Sequence, residues 1–289
     1  CRLVPQQQLL EALLQQAQTH PGFTWLPGMA VRGLLQGARV QGVRLSDGRE
    51  LEADLVIGCD GRDSLVRKAA GLPLQALDRP LELLWFVLPQ QAVATTGGPA
   101  GFLTLVAGGA IASACCGAGG ELQLGWLLRP GEARPQRSPR EWAEAFAALA
   151  PAQLAELLRR QGEQLSPPQR LSVQVGIAQH WQRPGVLLLG DAAHPMSPIR
   201  AQGINQALRD SLVAAQELLL ALERSQQGGL DQACIRIEAA RRPEIERLQS
   251  LQLAESRQGH WIGHNALLRH GLALGAPLLG PVARAVWTA

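Results

Sequence analysis

No run of lysines and arginines with interleaved aromatics occurs in the 289 residues, and 27 basic against 24 acidic side chains leave a formal charge of only +3. Nucleic acid is thereby excluded as a partner, and small-molecule work is favoured over polyanion binding. Nor does any unbroken apolar stretch reach the ~20 residues that a membrane-spanning helix needs. The nearest candidate, the charge-free segment from Leu83 to Gly120, is interrupted at Pro89, at Gly97-Gly98-Pro99 and at Gly108-Gly109. The five cysteines, Cys1, Cys59, Cys115, Cys116 and Cys234, form no C-x-x-C pair. Their odd number without a signal peptide points to reduced thiols in a cytoplasmic setting and to no metal site. Tyrosine is missing and lysine occurs once, at Lys68, an arginine bias that supports no functional reading. A G-x-G-x-x-G turn, the phosphate-binding signature of a dinucleotide domain, is also missing.

What is present is the composition of a globular protein, 46% hydrophobic and 18% charged, with enough length for two ordinary domains. The chain opens at Cys1 and enters a helical pattern almost at once, as expected of a sequence that starts inside a longer protein.

The most informative stretch is Gly185 to Ser211, GVLLLGDAAHPMSPIRAQGINQALRDS. Val186 to Leu189 reads as a buried parallel strand ending at Gly190-Asp191. Two prolines, Pro195 and Pro198, precede Gln202-Gly203-Ile204-Asn205, and Ala207, Leu208, Ser211 and Leu212 then set helical spacing. Asp54 to Ser64 repeats the arrangement: a strand over Leu55 to Ile57 reads as buried, Asp60-Gly61 stands at its end, and a helix follows, capped by Asp63 or Ser64. In open α/β sheets, ligands sit beyond the carboxyl ends of strands, and helix N-termini offer free N–H groups to anions. Two such ends are suited to grip one extended ligand.

Around these segments the pattern is simpler. Pro5 to Ala17 is an amphipathic helix with leucines 9, 10, 13 and 14 on one face. Phe23–Leu26, Ala30–Leu35 and Arg39–Leu45 read as short strands of an antiparallel meander turning at Ser46-Asp47-Gly48. Leu83–Val87, Phe102–Val106, Ala110–Cys115 and Leu122–Leu128 read as a mainly antiparallel sheet, followed by one or two helices over Pro139 to Arg160 and a returning strand over Leu171 to Ile177. A helix from Gln202 to about Leu222 and another from Leu230 to about Leu253, with a break expected at Pro243, come next. Residues 266–289 either pack as terminal helices or make a weak membrane-surface contact. Pro277 and Pro281 favour packing, because they interrupt the long amphipathic helix that interfacial binding prefers.

Each candidate site residue has a plain structural alternative. Asp60 and Asp191 either accept hydrogen bonds from ligand hydroxyls or cap the helices that follow. His194 is either a general base or, with no nucleophile, second histidine or paired carboxylate nearby in sequence, an anchor for its loop. Arg200 either clamps an anionic group or is solvated. Trp85, Phe86, Phe102 and Trp126 either line an apolar pocket or form core.

The segments DLVIGCDGRDSLVRKAAG, from Asp54 to Gly71, and Gly185 to Ser211 together resemble the two internal fingerprints of the FAD-dependent monooxygenases related to para-hydroxybenzoate hydroxylase. Their order, their separation of about 120 residues and the sheet between them match that family, so the resemblance covers essentially the whole chain. The early run VPQQQLLEALLQQA followed by PGFTWLPGMAVRGLL is similar to the family's helix-then-meander passage. The resemblance implies that Asp191 bonds the ribityl chain of FAD and that Gly190 allows close approach. It implies that Pro195 and Gln202, Gly203, Ile204 and Asn205 lie along the flavin, and that Asp60-Gly61 lies near the diphosphate. Members take electrons from NAD(P)H and insert one atom of dioxygen into an organic substrate, with the flavin supplying the chemistry. Three departures accompany the resemblance: the missing Gly-rich turn, Gln6 where the family commonly has arginine, and Arg200 where a small residue is common.

The expected fold is therefore α/β: a Rossmann-like FAD-binding domain, incomplete at its N-terminus, with an inserted mainly antiparallel β-sheet substrate domain and C-terminal helices. Residues 1–71 and 183–225 form the FAD-binding domain, 72–182 the substrate domain and 226–289 a helical region. The expected function is NAD(P)H-driven hydroxylation or epoxidation of an apolar, cyclic organic substrate. The alternatives are an FAD-dependent reductase or oxidase without oxygen insertion, and a non-catalytic binding module.

Overall fold

A computed structural model describes residues 4–78, 81–89, 102–107, 109–128, 136–198, 202–224 and 228–265. Arg200, read as an anion clamp or a solvated charge, and residues 266–289, read as packed helices or a weak membrane contact, lie outside the described residues. The chain forms two compact units, one of residues 1–13, 82–171 and 255–289, the other of residues 14–81 and 172–254. Among the described residues, no helix is long and apolar enough to cross a membrane.

The second unit holds both fingerprints. After helix α1 (Gln6–Gln18), strands β1 (Val31–Gln36), β2 (Val40–Leu45) and β3 (Glu50–Glu52) pair antiparallel in that order, as the meander predicts. The expected strand over Phe23–Leu26 does not form. It is a four-residue segment between Pro21-Gly22 and Pro27-Gly28 that finds no ladder partner, and Phe23 and Trp25 stand exposed. Strands β4 (Val56–Gly58), β12 (Gln182–Arg183) and β13 (Val186–Leu188) make a three-stranded sheet with β13 in the middle. On one face of β13, Val186 and Leu188 pack with Val40, Val56, Val66, Trp181 and Ile245; on the other, Leu187 and Leu189 pack with Ala214, Cys234 and Ile237. That two-sided burial is why β13 reads as an unbroken apolar run. β4 departs from the same expectation, because it is at the edge of this sheet and Ile57 is 42% exposed.

Glycine is required where β13 begins. Gly185 has φ +81°, and a Cβ there would stand 2.1 Å from the Val40 carbonyl oxygen. Short helix α2 (Leu65–Ala69) follows β4, and β5 (Leu74–Ala76) pairs antiparallel with β11 (Gly176–Ala178). The expected continuous strand over Leu171 to Ile177 is thus two strands, β10 (Gln169–Val173) and β11, each pairing with a different sheet.

In the other unit, β6 (Leu81–Leu88), β7 (Leu103–Ala107), β8 (Ala110–Cys116), β9 (Leu122–Leu128) and β10 form a sheet in the order β10-β6-β9-β8-β7. The pairings among β6 to β9 are antiparallel. Alternation sends Leu84, Phe86 and Leu88 to one face, where helices α3 (Pro139–Ala147) and α4 (Ala152–Gln161) cover them with Trp142, Phe146, Leu154, Leu157 and Leu158. Phe86 packs 5.0 Å from Trp142 and Trp126 packs 5.3 Å from Phe146, which resolves those two aromatics as core, whereas Phe102 is exposed. Ser138 and Glu141 close a capping box that starts α3, a device worth about 1 kcal/mol.

Helices α5 (Gly203–Glu223) and α6 (Gly229–His264) are the last elements among the described residues. The break expected at Pro243 is absent, and α6 continues through it. Proline removes one ladder bond, while buried Arg241 and Ile245 and the half-buried Arg242 around it are held by contacts to other elements.

Candidate functional site

Parallel pairing places the two fingerprints side by side. Val186, Leu187 and Leu188 of β13 stand opposite Val56, Ile57 and Gly58 of β4, and the Leu189 N–H donates to the Gly58 carbonyl at 3.0 Å. Parallel register means that both chains leave the sheet at the same edge, so Asp60 and Asp191 emerge from neighbouring strand ends. Arg67 ties the two exits together. Its guanidinium is buried, with Nη1 donating to the Ala192 carbonyl and Nη2 to the Arg62 carbonyl, both at 2.7 Å. Arg67 gives no signal in the sequence, since an arginine in a short helix beside Lys68 looks like a solvated charge.

The two carboxylates are used differently. Asp60 Oδ1 accepts from the Ser64 hydroxyl at 2.5 Å and Oδ2 from the Val66 N–H at 3.0 Å, while Ser64 Oγ accepts from the Arg67 N–H and caps α2. Beside it, Gly61 has φ +80° and open space where a side chain would stand. Asp191, with its side chain 31% exposed, accepts from Arg62 Nε on Oδ2 at 3.0 Å. Arg62 in turn donates from Nη1 to the Ser172 carbonyl at 2.8 Å, which fixes its own position. Asp191 Oδ1 lies 3.9 Å from where a Cβ on Gly203 would be, so this carboxylate sits against the first residue of α5. Gln202 precedes α5 without a side-chain cap hydrogen bond, and among the described residues the first-turn N–H groups that an α-helix cannot satisfy internally have no side-chain acceptor. Gln202 and Gly203 are half-buried, and Ile204 and Asn205 are exposed. Arg62 joins the candidate site by its bond to Asp191; its only signal in the sequence is its place between Asp60-Gly61 and α2.

His194 and Pro195 lie deeper. The His194 side chain is 1% exposed, its Nε2 is 2.6 Å from Asp210 Oδ2, and its ring packs 4.8 Å from Trp181. That is the geometry of a loop anchor, the second of the two readings left open above. Pro195 is buried, and its carbonyl accepts from the Gly176 N–H at 3.0 Å and from Gln249 Nε2 at 3.3 Å. Asp210 also accepts from the Gly190 N–H at 3.0 Å and from Arg241 Nε at 2.8 Å. Burial pushes the Asp210 carboxyl up, but the bonds from His194, Arg241 and Gly190 outweigh burial and hold it below the ordinary carboxylate value.

The arrangement fits one ligand chemistry well. A half-exposed carboxylate with one oxygen anchored by Arg62 can take a ligand hydroxyl on the other. The uncapped start of α5 offers amides to a ring edge or anion, and Gly61 lets backbone approach closely. FAD carries hydroxyls, a diphosphate and a ring whose pyrimidine edge becomes negative on reduction, so the residues present fit it.

Comparison with known proteins agrees. The chain is 36% identical over 261 residues to 6-methylpretetramide 4-monooxygenase of Streptomyces rimosus, an alignment covering 88% of this chain and 60% of that protein. It is 30% identical over 267 residues to protoasukamycin 4-monooxygenase of Streptomyces nodosus subsp. asukaensis, covering 86% and 62%. The chain thus spans about three fifths of the length of these relatives. Among solved structures, a variant of PqsL from P. aeruginosa superposes with a TM-score of 0.73 at 23% identity, over 89% of this chain and 70% of that one. The tetrameric form of 2-methyl-3-hydroxypyridine-5-carboxylic acid oxygenase gives 0.69 at 22% identity, over 89% and 67%. These two likenesses concern the fold, and they agree with the α/β architecture expected from the sequence. A sequence model described as FAD binding domain matches residues 1–247, and on that match, most of its length, the chain belongs to the FAD-binding domain family.

Proposed function

We propose that the chain forms the larger part of an FAD-dependent monooxygenase, which uses NAD(P)H and dioxygen to hydroxylate or epoxidise an apolar, cyclic organic substrate. The observation that carries this reading is the β4–β13 pairing, which sets Asp60-Gly61 and Gly190-Asp191 at adjacent strand ends beside the start of α5, in a chain whose named relatives are monooxygenases. In this reading Asp191 holds the ribityl chain through Oδ1, and the amides of Gly203, Ile204 and Asn205 stabilise charge on the flavin. Gln202 and Pro195 frame the ring, and Gly61 admits the diphosphate while Asp60 shapes the turn that carries it. Bound FAD supplies the redox chemistry, taking electrons from NAD(P)H and activating dioxygen. The protein's residues orient it and place charge around it.

The five-stranded sheet and its two helices, within residues 72–182, serve as the substrate-binding part. One sheet face there is filled by α3 and α4, whereas Leu83, Trp85, Val87, Ile111 and Leu127 are only half-buried, an apolar surface suited to an apolar ring. Free thiols at Cys59, Cys115, Cys116 and Cys234 support the reading of a reducing, cytoplasmic setting.

The test is to purify the intact gene product, record its flavin absorbance, and follow substrate-dependent NAD(P)H oxidation under isotopically labelled dioxygen. One labelled oxygen atom in the product is the expected result. An unlabelled, reduced product rejects oxygen insertion, and a colourless protein that cannot be loaded with FAD rejects the cofactor.

A further inference from the structure

Three elements converge on one buried carboxylate. Asp210 lies two turns inside α5 with no exposed surface, and donors reach it from the strand end at Gly190, from the loop at His194 and from α6 at Arg241. Arg241 extends the connection: Nη2 donates to Gln206 Oε1 at 2.7 Å in the first turn of α5, and Nη1 donates to Glu244. His194, Gln206 and Arg241 are buried as well. The turn Gly190–Ala192 packs directly on α5, since a Cβ on Gly190, whose φ is +57°, would stand 3.0 Å from Ala207 Cβ.

A buried ion pair is weak support for a fold, because well-packed hydrocarbon of the same volume usually stabilises as much or more. The network is therefore better explained by what it orients than by what it stabilises. Its two outputs are the Gly190 N–H, next in sequence to Asp191, and Gln206, one turn from Gly203. These two elements carry most of the groups assigned to the cofactor. We infer that Asp210 is a positioning residue for the flavin, setting the Asp191 turn against the Gly203 end of α5 by way of His194 and Arg241. The inference rests on the FAD reading and adds to it the part of the chain that shapes the site without touching the ligand.

An internal comparison makes it testable. Asp231 is also a helix carboxylate bonded to a glycine N–H of β13's surroundings, accepting from Gly185 at 2.9 Å and from Arg39 at 3.2 Å, but at the opposite end of the strand. In the intact protein, FAD affinity by fluorescence quenching, visible circular dichroism of the bound flavin, and apo-protein melting temperature are measured for wild type, Asp210→Asn and Asp231→Asn. Asp210→Asn should weaken FAD binding about tenfold and change the flavin dichroism, the size expected for lost charge-assisted bonds. Asp231→Asn should lower the melting temperature while leaving affinity and dichroism as in wild type. Equal affinity losses in both variants, or none in Asp210→Asn, overturn the inference. Should Asp210→Asn fail to fold, Gln206→Met, which deletes the bond from Arg241 without touching Asp210, decides: weakening of about threefold supports the inference and wild-type affinity overturns it. Wild type that binds no FAD overturns the cofactor reading and this inference with it, a result distinct from normal wild-type binding with indifferent variants.

Discussion

Asp60 and Asp191 share a local pattern, a short apolar strand, a glycine neighbour and a helix soon after, yet they end in different employment. Both oxygens of Asp60 are satisfied within its own turn by Ser64 and Val66. Asp191 is held on one oxygen by an arginine from the other fingerprint and keeps partial exposure on the side of α5. The difference lies in distance along the chain: α2 starts a few residues after Asp60 and its amides fold back onto the carboxylate, whereas α5 starts twelve residues after Asp191 and meets it only through the fold. Similar motifs at neighbouring strand ends therefore differ in what they leave free, one carboxylate spent on its own loop and the other keeping an oxygen and part of its surface open.

Arg67→Met gives the largest effect, because it cuts the clamp between the two ends. Two buried charge-assisted bonds disappear, and urea unfolding should show a loss of about 3 kcal/mol together with weaker flavin retention. Unchanged stability would show that the strand pairing alone holds the ends together. Next is Asp191→Ala, expected to weaken FAD binding about tenfold at an unchanged melting temperature. Retained flavin with normal turnover would remove Asp191 from the site. Asp60→Ala should do the reverse, costing about 1 kcal/mol of stability through the frayed start of α2, with a smaller effect on affinity; circular dichroism melts and an FAD titration separate the two.

The smallest expected effect concerns pH and brings in a third carboxylate. Asp210, bonded by His194 and Gly190 and by Arg241 of α6, which Glu244 also contacts, has its carboxyl held below the ordinary value of 3.8 despite burial. A group depressed in the folded state contributes stability above its unfolded pKa and loses it as pH falls through the folded value. The melting-temperature gap between wild type and Asp210→Asn should therefore narrow as pH drops below about 4. A gap that is constant from neutrality into that range would show that Asp210 is not ionised in the folded protein.

Much of this was legible in the chain because it is local. The meander announces itself by alternation and by Ser46-Asp47-Gly48, and four strands of the five-stranded sheet by short, mostly apolar runs between Gly/Pro turns; β10 was not legible as their fifth partner. The strand–Gly-Asp–loop–helix order of Gly185 to Ser211 follows from an unbroken apolar run and a glycine before helical spacing. Phe23–Leu26 misled for the same local reason: a strand needs a partner, and a window of four residues does not contain one. Arg62, Arg67 and Arg241 were not legible as site residues, since each acts on atoms far away in sequence.

Helix α5 draws the line between the two kinds of information. Ile204, Leu208, Leu212, Leu219 and Leu222 recur on one face and establish that a helix exists, but that face is exposed, while Gln206 and Asp210 are buried with Ala214 and Ala221 on the other. Periodicity counts residues along one element, so by itself the sequence determined the elements, their order and the family they resemble. Which face of α5 turns inward, and hence which carboxylate anchors and which is presented, was decided by the tertiary structure. Burying Asp210 is tolerable only because Gly190, His194 and Arg241 arrive from three other segments to meet its charge.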